Sequence, residues 1–310
     1  MAIFWRDKIM AIDIETTYGT DAVPTGADAV LAKQVTLAPM EGNDLDRELE
    51  LPYFGSQGTI PVELHAKLSF EVELAPSGTA GTAPAWGKLL RACGCAETVA
   101  ANTSVTYNPI TNDPEACTVH FFNGGARYVL RGARGTASFD LTANQIPKIM
   151  FEFTGLFALP SEKTRLTPSF GAWQRPQEVG PTFTALTFAG NTDLTMRKFM
   201  LDMANQIEPR FLVGPEEILI TDKDEQIECT IEAVPLTTYD PFTAARNQTE
   251  IAISLRHGVG AGKIATLATT RAQMQRPQGL ETPQNITEWP LRLKPIPSST
   301  GNDQWTLTLT

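Results

Sequence analysis

Residues 65–76, HAKLSFEVELAP, alternate strictly between apolar and polar. Ala66, Leu68, Phe70, Val72 and Leu74 fall on one side, Lys67, Ser69, Glu71 and Glu73 on the other. A period of two marks a strand with one face buried and one wet. The pattern returns in KIMFEFTGLFALP (148–160), where Ile149, Phe151, Phe153 and Phe157 oppose Lys148, Glu152 and Thr154. That aromatic row reads as a core stripe rather than a ligand platform. ACTVHFF (116–122) runs into Asn123-Gly124, a hairpin turn signal, and ARYVLRG (126–132) and TASFDL (136–141) continue the meander.

Helical signals are few. TAPAWGKLLRACG (82–94) predicts a short helix with Thr82 as N-cap, Pro84 in the first turn and Gly94 as its stop. PFTAARNQT (241–249) predicts a second, capped by Asp240. Residues 13–34 are small, polar and broken by Gly and Pro, which predicts an extended arm. The acids Glu41, Asp44, Asp46, Glu48 and Glu50 predict a long charged loop or hairpin over 41–58. Four prolines in 160–182 and no periodicity place a linker there. The expected plan is a mainly β chain: an N-terminal arm (1–34), a unit over 35–160, a linker (161–182) and a second unit over 183–310.

The second half echoes the first in order. APMEGNDLDR (38–47) pairs with LDMANQIEPR (201–210), VELAP (72–76) with IEAVP (231–235), and each is followed by a Pro-started helix. FFNGGARYVL (121–130) pairs with HGVGAGKIATL (257–267), and NQIPKIMFEF (144–153) with QNITEWPLRL (284–293). Two copies of one strand-rich unit with one helix each account for this order.

A length of 310 residues suits two such units at roughly 150 residues each. A hydrophobic content of 42% is enough for sizeable cores. The net charge of −10 argues against a sequence-reading nucleic-acid binder while permitting a surface that repels phosphate. No run approaches the ~20 apolar residues of a membrane span, and no signal-type segment is evident, so a cytosolic or lysis-released protein is expected.

Candidate chemistry is thin. Cys93-Gly-Cys95 has no second Cys or His pair at zinc spacing, so Cys93, Cys95, Cys117 and Cys229 are expected as buried thiols. His65, His120 and His257 belong to no catalytic or metal motif and are expected at the surface or at strand ends. TDKDEQIE (221–228) resembles a calcium loop, but Ile227 and Ala233 stand where the required Gly and Glu would be. GVGAGK (258–263) lacks the spacing and Ser/Thr of a phosphate loop. No enzyme, cofactor or metal is expected.

ETTYGTDAVPTGADAV (15–30), APAWGKLLRACG (83–94) and the long segment from Leu186 to Glu232 resemble the tail tube, or major tail, proteins of long-tailed bacteriophages. HGVGAGKIA (257–265) and the terminal WTLTLT (305–310) fit the same family. The resemblance implies two tandem tube domains that each give strands to an inner barrel. It implies a structural virion protein, assembled in the host cytoplasm, whose rings stack into a tube for DNA. A duplicated chain would need three copies for a pseudo-sixfold ring, with six copies as the alternative. Three copies giving about 24 strands at ~4.8 Å spacing and ~40° tilt make a barrel roughly 48 Å across. That is wide enough for a duplex.

Implied partners are other copies, the tape measure, terminator and distal tail proteins, and passing double-stranded DNA. The arm is expected to order against a neighbour. Ring-to-ring or lumen residues are expected among Glu41, Asp44, Asp46, Glu48, Glu50, Glu208 and Arg210; Arg127, Arg131 and Lys263 are expected to pair between subunits. A tail-terminator or baseplate ring of the same fold, or a two-domain β-sandwich that binds carbohydrate, are the alternatives.

Overall fold

The structure is a computed structural model that describes residues 3–310. The first half runs β1 (Lys8–Ile14), a 3-10 turn (Gly26–Asp28), β2 (Lys33–Asp46), β3 (Thr59–Glu73), α1 (Gly87–Ala92), β4 (Cys95–Ala100), β5 (Ser104–Pro109), β6 (Cys117–Asn123), β7 (Ala126–Thr142), β8 (Lys148–Phe157) and β9 (Ser161–Glu162). The second runs β10 (Thr184–Phe188), β11 (Met196–Asp202), β12 (Asn205–Phe211), β13 (Glu216–Lys223), β14 (Gln226–Glu232), α2 (Pro241–Arg246), β15 (Glu250–His257), β16 (Ala265–Met274), β17 (Glu288–Pro295) and β18 (Thr306–Leu309). The fold is mainly β, with antiparallel pairing throughout.

The two sequence runs at 126–132 and 136–141 form one long strand, because β7 serves two regions of sheet. Its first half pairs with β6 and β9, its second half with β8 and β11. The switch falls at Gly132, where φ is +55° and the β7–β8 register slips between Arg131 and Arg134. A Cβ at Gly132 would lie 2.7 Å from the Tyr18 ring, so both the turn and the contact require glycine. The Gly132 amide donates to Glu15 Oε1 at 2.7 Å. The buried Glu15 carboxylate also accepts from Thr118 Oγ1 at 2.7 Å and from the Gly19 amide at 2.6 Å.

From this bend the strands β2-β3-β8-β7-β11-β14-β17-β16 follow one another edge to edge. Their buried sides, with Trp86 from the segment before α1 and Trp305 from the C-terminal segment, form one hydrophobic cluster. Phe139 of β7 meets Trp305 edge-on at 6.0 Å between centroids, so the halves share core. Within the run, Phe70 stands opposite Phe151 and Leu68 opposite Phe153; Cys229 opposite Leu291 and Ile227 opposite Leu293 stand in the same relation. The order β2-β3-β8-β7 is thus followed by β11-β14-β17-β16, with β14–β17 in the register of β3–β8, and the pairing of β7 with β11 joins them.

Several expectations need correction. Thr82 does not cap α1: its amide closes a turn onto Thr79, and the helix starts at Gly87 after a turn from Pro84, with no side-chain cap. Asp240 caps α2 as expected, accepting from the Phe242 and Thr243 amides. The segment 13–34 is not a free arm. Glu15 is buried, Ala29 bridges Ala11, and the Val30 amide bonds to Met10 O, because ordered loop backbone here finds partners on its own chain. The linker span, after the short β9, carries no helix or strand, yet Trp173 donates to Ala29 O and Val179 is buried.

His120 and His257 are buried rather than exposed. His120 lies in a strand covered on both sides, and its Nε2 meets Asp21 at 2.8 Å. His257 does end a strand, but its Nδ1 bonds Thr184 Oγ1 at 2.9 Å inside the pairing with β10. Burial holds the pKa of both below the ordinary histidine value, with Asp21 partly opposing it at His120. Above about pH 6.5 both are neutral, folded or unfolded. As pH falls below that, the unfolded chain takes up protons first and stability declines. A urea midpoint that falls from pH 8 to pH 5 is therefore expected, and His257→Asn, which keeps a polar atom for Thr184, should flatten the fall.

Candidate assembly surfaces

The reactive side chains are sealed into the fold. Cys93, Cys95, Cys117 and Cys229 are all buried and unbridged. Burial pushes the Cys95 and Cys229 thiols up to about 12, the wrong direction for a nucleophile. His65 bonds Glu63 O and stacks on Phe211. Among the described residues no three His, Cys, Asp or Glu side chains gather as metal ligands. The features with functional content are instead two hairpins, two sheet edges and one polar face.

The hairpin β12–β13 leaves the main sheet at Ala204, whose φ is +44°, and lies on the first half. Asn205 Nδ2 donates to Cys93 O at 2.7 Å and to Gly135 O at 2.9 Å. Lys223 Nζ donates at 2.8 Å to Gly94 O and Ile110 O, and this enclosed ammonium has its pKa lowered by burial. The Ile218 amide donates to Tyr18 Oη at 2.6 Å, and Ile218 O accepts from Arg134 Nη1 at 2.8 Å. Arg134 in turn covers the Tyr18 ring at 5.0 Å. Ile218 is 0% exposed as a result. Sequence pattern could not find this docking, since its donors and acceptors lie some 70–200 residues apart.

The first hairpin is different. Beyond Ala38 on β2 and before Leu64 on β3 its side chains are almost all exposed, including the apolar Met40, Leu45, Tyr53, Phe54 and Ile60. Glu41, Asp44 and Asp46 lie on β2, and Glu48 and Glu50 on the connecting loop, so the five acids share one projecting element. Glu208 and Arg210 are exposed on a different element, β12. Arg127 and Arg131 are half-buried on β7 without an ion-pair partner among the described residues, and the Nε of each is enclosed without a hydrogen bond. Lys263 is exposed in the turn before β16.

The eight-strand run is open at β2 and, at the other end, only past β16, because β15 covers β16 itself. Among the described residues β2 pairs only with β3. At the far end the chain continues past β16 alongside β17, through Gln275 N to Arg292 O and the bridge of Glu281 with Glu288, and among the described residues no strand pairs with the outer side of 275–281. The face of the run away from the core is polar. Between β2, β3, β8 and β7 it dips into a trough of about 400 Å³ lined by Thr36, Ser69, Glu71, Ser138, Glu152 and Asp202 among others. Glu71 there meets Lys148 at 2.8 Å, and Glu228 lies 3.9 Å from Lys198 and 3.5 Å from Arg292. Asp140, Glu152, Asp202 and Glu232 have no ion-pair partner among the described residues, so the face leans acidic.

A family model described as phage tail tube protein matches residues 5–309. No curated protein matches the chain significantly.

If Asn205 holds the second hairpin down, Asn205→Ala leaves two carbonyls short of donors and should cost about 1–3 kcal/mol. Limited trypsin digestion reads this locally. Cleavage after Arg210 should accelerate while cleavage after the already exposed Arg47 stays unchanged.

Proposed function

The chain belongs to the phage tail tube protein family, and on that premise we propose that its copies close into rings that stack into the hollow tube of a phage tail. It is a structural component of the virion tail. The observation that carries the ring is the unbroken run of eight strands, in which β2 at one end, and residues 275–281 beyond β16 at the other, each have an outer side without a strand partner among the described residues. A twisted antiparallel run of this kind must cover its edges or pair them, and pairing with further copies until the run closes removes both.

The matching order β2-β3-β8-β7 and β11-β14-β17-β16 supports two tube domains in tandem, within 35–160 and 183–310. Three copies then make a pseudo-sixfold ring of about 24 strands, three times the eight in the run. In that ring the core faces outward with the helices, and the polar face lines the bore. The unpaired Asp140, Glu152, Asp202 and Glu232 would repel phosphate, so duplex DNA passes without sticking or being read. The role needs no catalysis. Tape measure, terminator and distal tail proteins are the partners such a tube meets along its length, and assembly takes place in the host cytoplasm.

Negative-stain microscopy of concentrated protein should reveal hollow tubes of uniform bore. Rings isolated at low concentration should weigh about three times 33.8 kDa. Single rings that never stack would favour a terminator of the same fold, and a monomer under all conditions would sink the proposal. Within virions, Glu152→Lys with Asp202→Lys should leave tubes intact but slow DNA release, as followed by dye uptake.

A further inference from the structure

Of the strand pairings that join the halves, β7–β11 and β18–β5, the first is reinforced by a hairpin. β11 pairs with β7, and the β12–β13 hairpin that extends from β11 and β14 lies across the first half, at the end of α1. The same parts occur a second time without partners: β2 at one edge, the bare hairpin that extends from β2 and β3, and the outer side of residues 275–281 at the other edge. We infer that the in-chain joint is the template for the joint between copies. β2 of one copy pairs with residues 275–281 of its neighbour in the same ring, and the first hairpin lies across that neighbour's second half, at the end of α2. This rests on the ring proposed above, but assigns its residues and register.

The register follows from the pairings. Leu37 faces Leu68 as Leu201 faces Ile227, so Leu37 and Thr36 take the places of Leu201 and Met200. Glu281 bridges Glu288 as Asp140 pairs with Lys148, so Glu281 takes the place of Asp140. Since Asp140 stands opposite Met200, Thr36 should stand opposite Glu281 of the neighbouring copy. Exposure agrees with the assignment. α1 buries Leu89 and Leu90, whereas α2 buries only Pro241 and leaves Phe242 46% exposed. Leu45 and Ile60 of the first hairpin are 54% and 52% exposed, against 0% for Ile218 of the docked one. Charge agrees as well: the hairpin's acids would approach the α2 end that carries the exposed Arg246.

The four native thiols are buried, so introduced cysteines can be read cleanly. Thr36→Cys with Glu281→Cys in one chain should give, on oxidation of assembled protein, a non-reducing gel ladder that ends at three copies. A mixture of the two single variants should stop at dimers. Asp140→Cys with Met200→Cys, across the in-chain joint, should oxidise without any change in mass. Tubes visible in the microscope without cross-linking of Thr36→Cys to Glu281→Cys would overturn the register. That outcome differs from an absence of tubes and rings altogether, which would overturn the proposed function instead.

Replacing residues 44–59 by an Asn-Gly turn tests the hairpin. The variant should keep the circular dichroism and thermal transition of the parent chain but form no rings. Intact single rings that fail to stack would place the hairpin between rings and overturn the lateral contact.

Discussion

Everything in this fold turns on the bend of β7 at Gly132. A single strand has to leave the region paired with β6 and enter the region paired with β8 and β11. The carboxylate of Glu15 makes the bend a fixed point by accepting from Gly132, Thr118 and Gly19 together. A buried carboxylate with three donors is well satisfied, and removing it would strand those donors in a dry interior. The geometry of the bend also leaves room for Tyr18, whose hydroxyl and ring hold Ile218 and Arg134. One small motif near the start of the chain therefore fixes both the edge that β11 uses and the hairpin that locks it.

This explains why ETTYG is informative without being chemical. Its glutamate, tyrosine and glycine resemble catalytic furniture only until their partners are seen. Each partner is backbone, or a side chain that itself binds backbone: Arg134 meets the carbonyls of Ile218 and Pro114. The arginines of the same strand divide accordingly. Arg134 is absorbed by this node, while Arg127 and Arg131 keep guanidinium groups without a carboxylate partner among the described residues.

Much of the sheet was legible in the sequence because its signal is local. Alternation at 65–76 and 148–160, the Asn123-Gly124 turn and the Asp240 cap all became the elements they predict. What failed was of longer range. Thr82 has cap chemistry but sits in an earlier turn, and two histidines are buried against partners far along the chain. The sequence echoes agree with the order of strands but not with their register. Met40 aligned with Met203 is one residue out from the sheet, where Leu37 corresponds to Leu201, since β2 carries bulges between Ala38 and Asn43. The residues proposed for assembly are the least legible: an acidic hairpin has the same composition whether it is docked or free.

The stretch between β9 and β10 has a kinetic meaning. It tethers the two sides of the β7–β11 joint, so that joint forms at an effective concentration in the millimolar range or above, whatever the dilution. A joint between separate chains has no such help and depends on protein concentration. In the proposed tube, folding and growth would thereby be separated in time, with each chain completing its internal joint first and presenting a rigid edge to the next. With the two tandem domains proposed, each encounter at the growing end would add both at once, which halves the number of slow bimolecular steps needed for a given length.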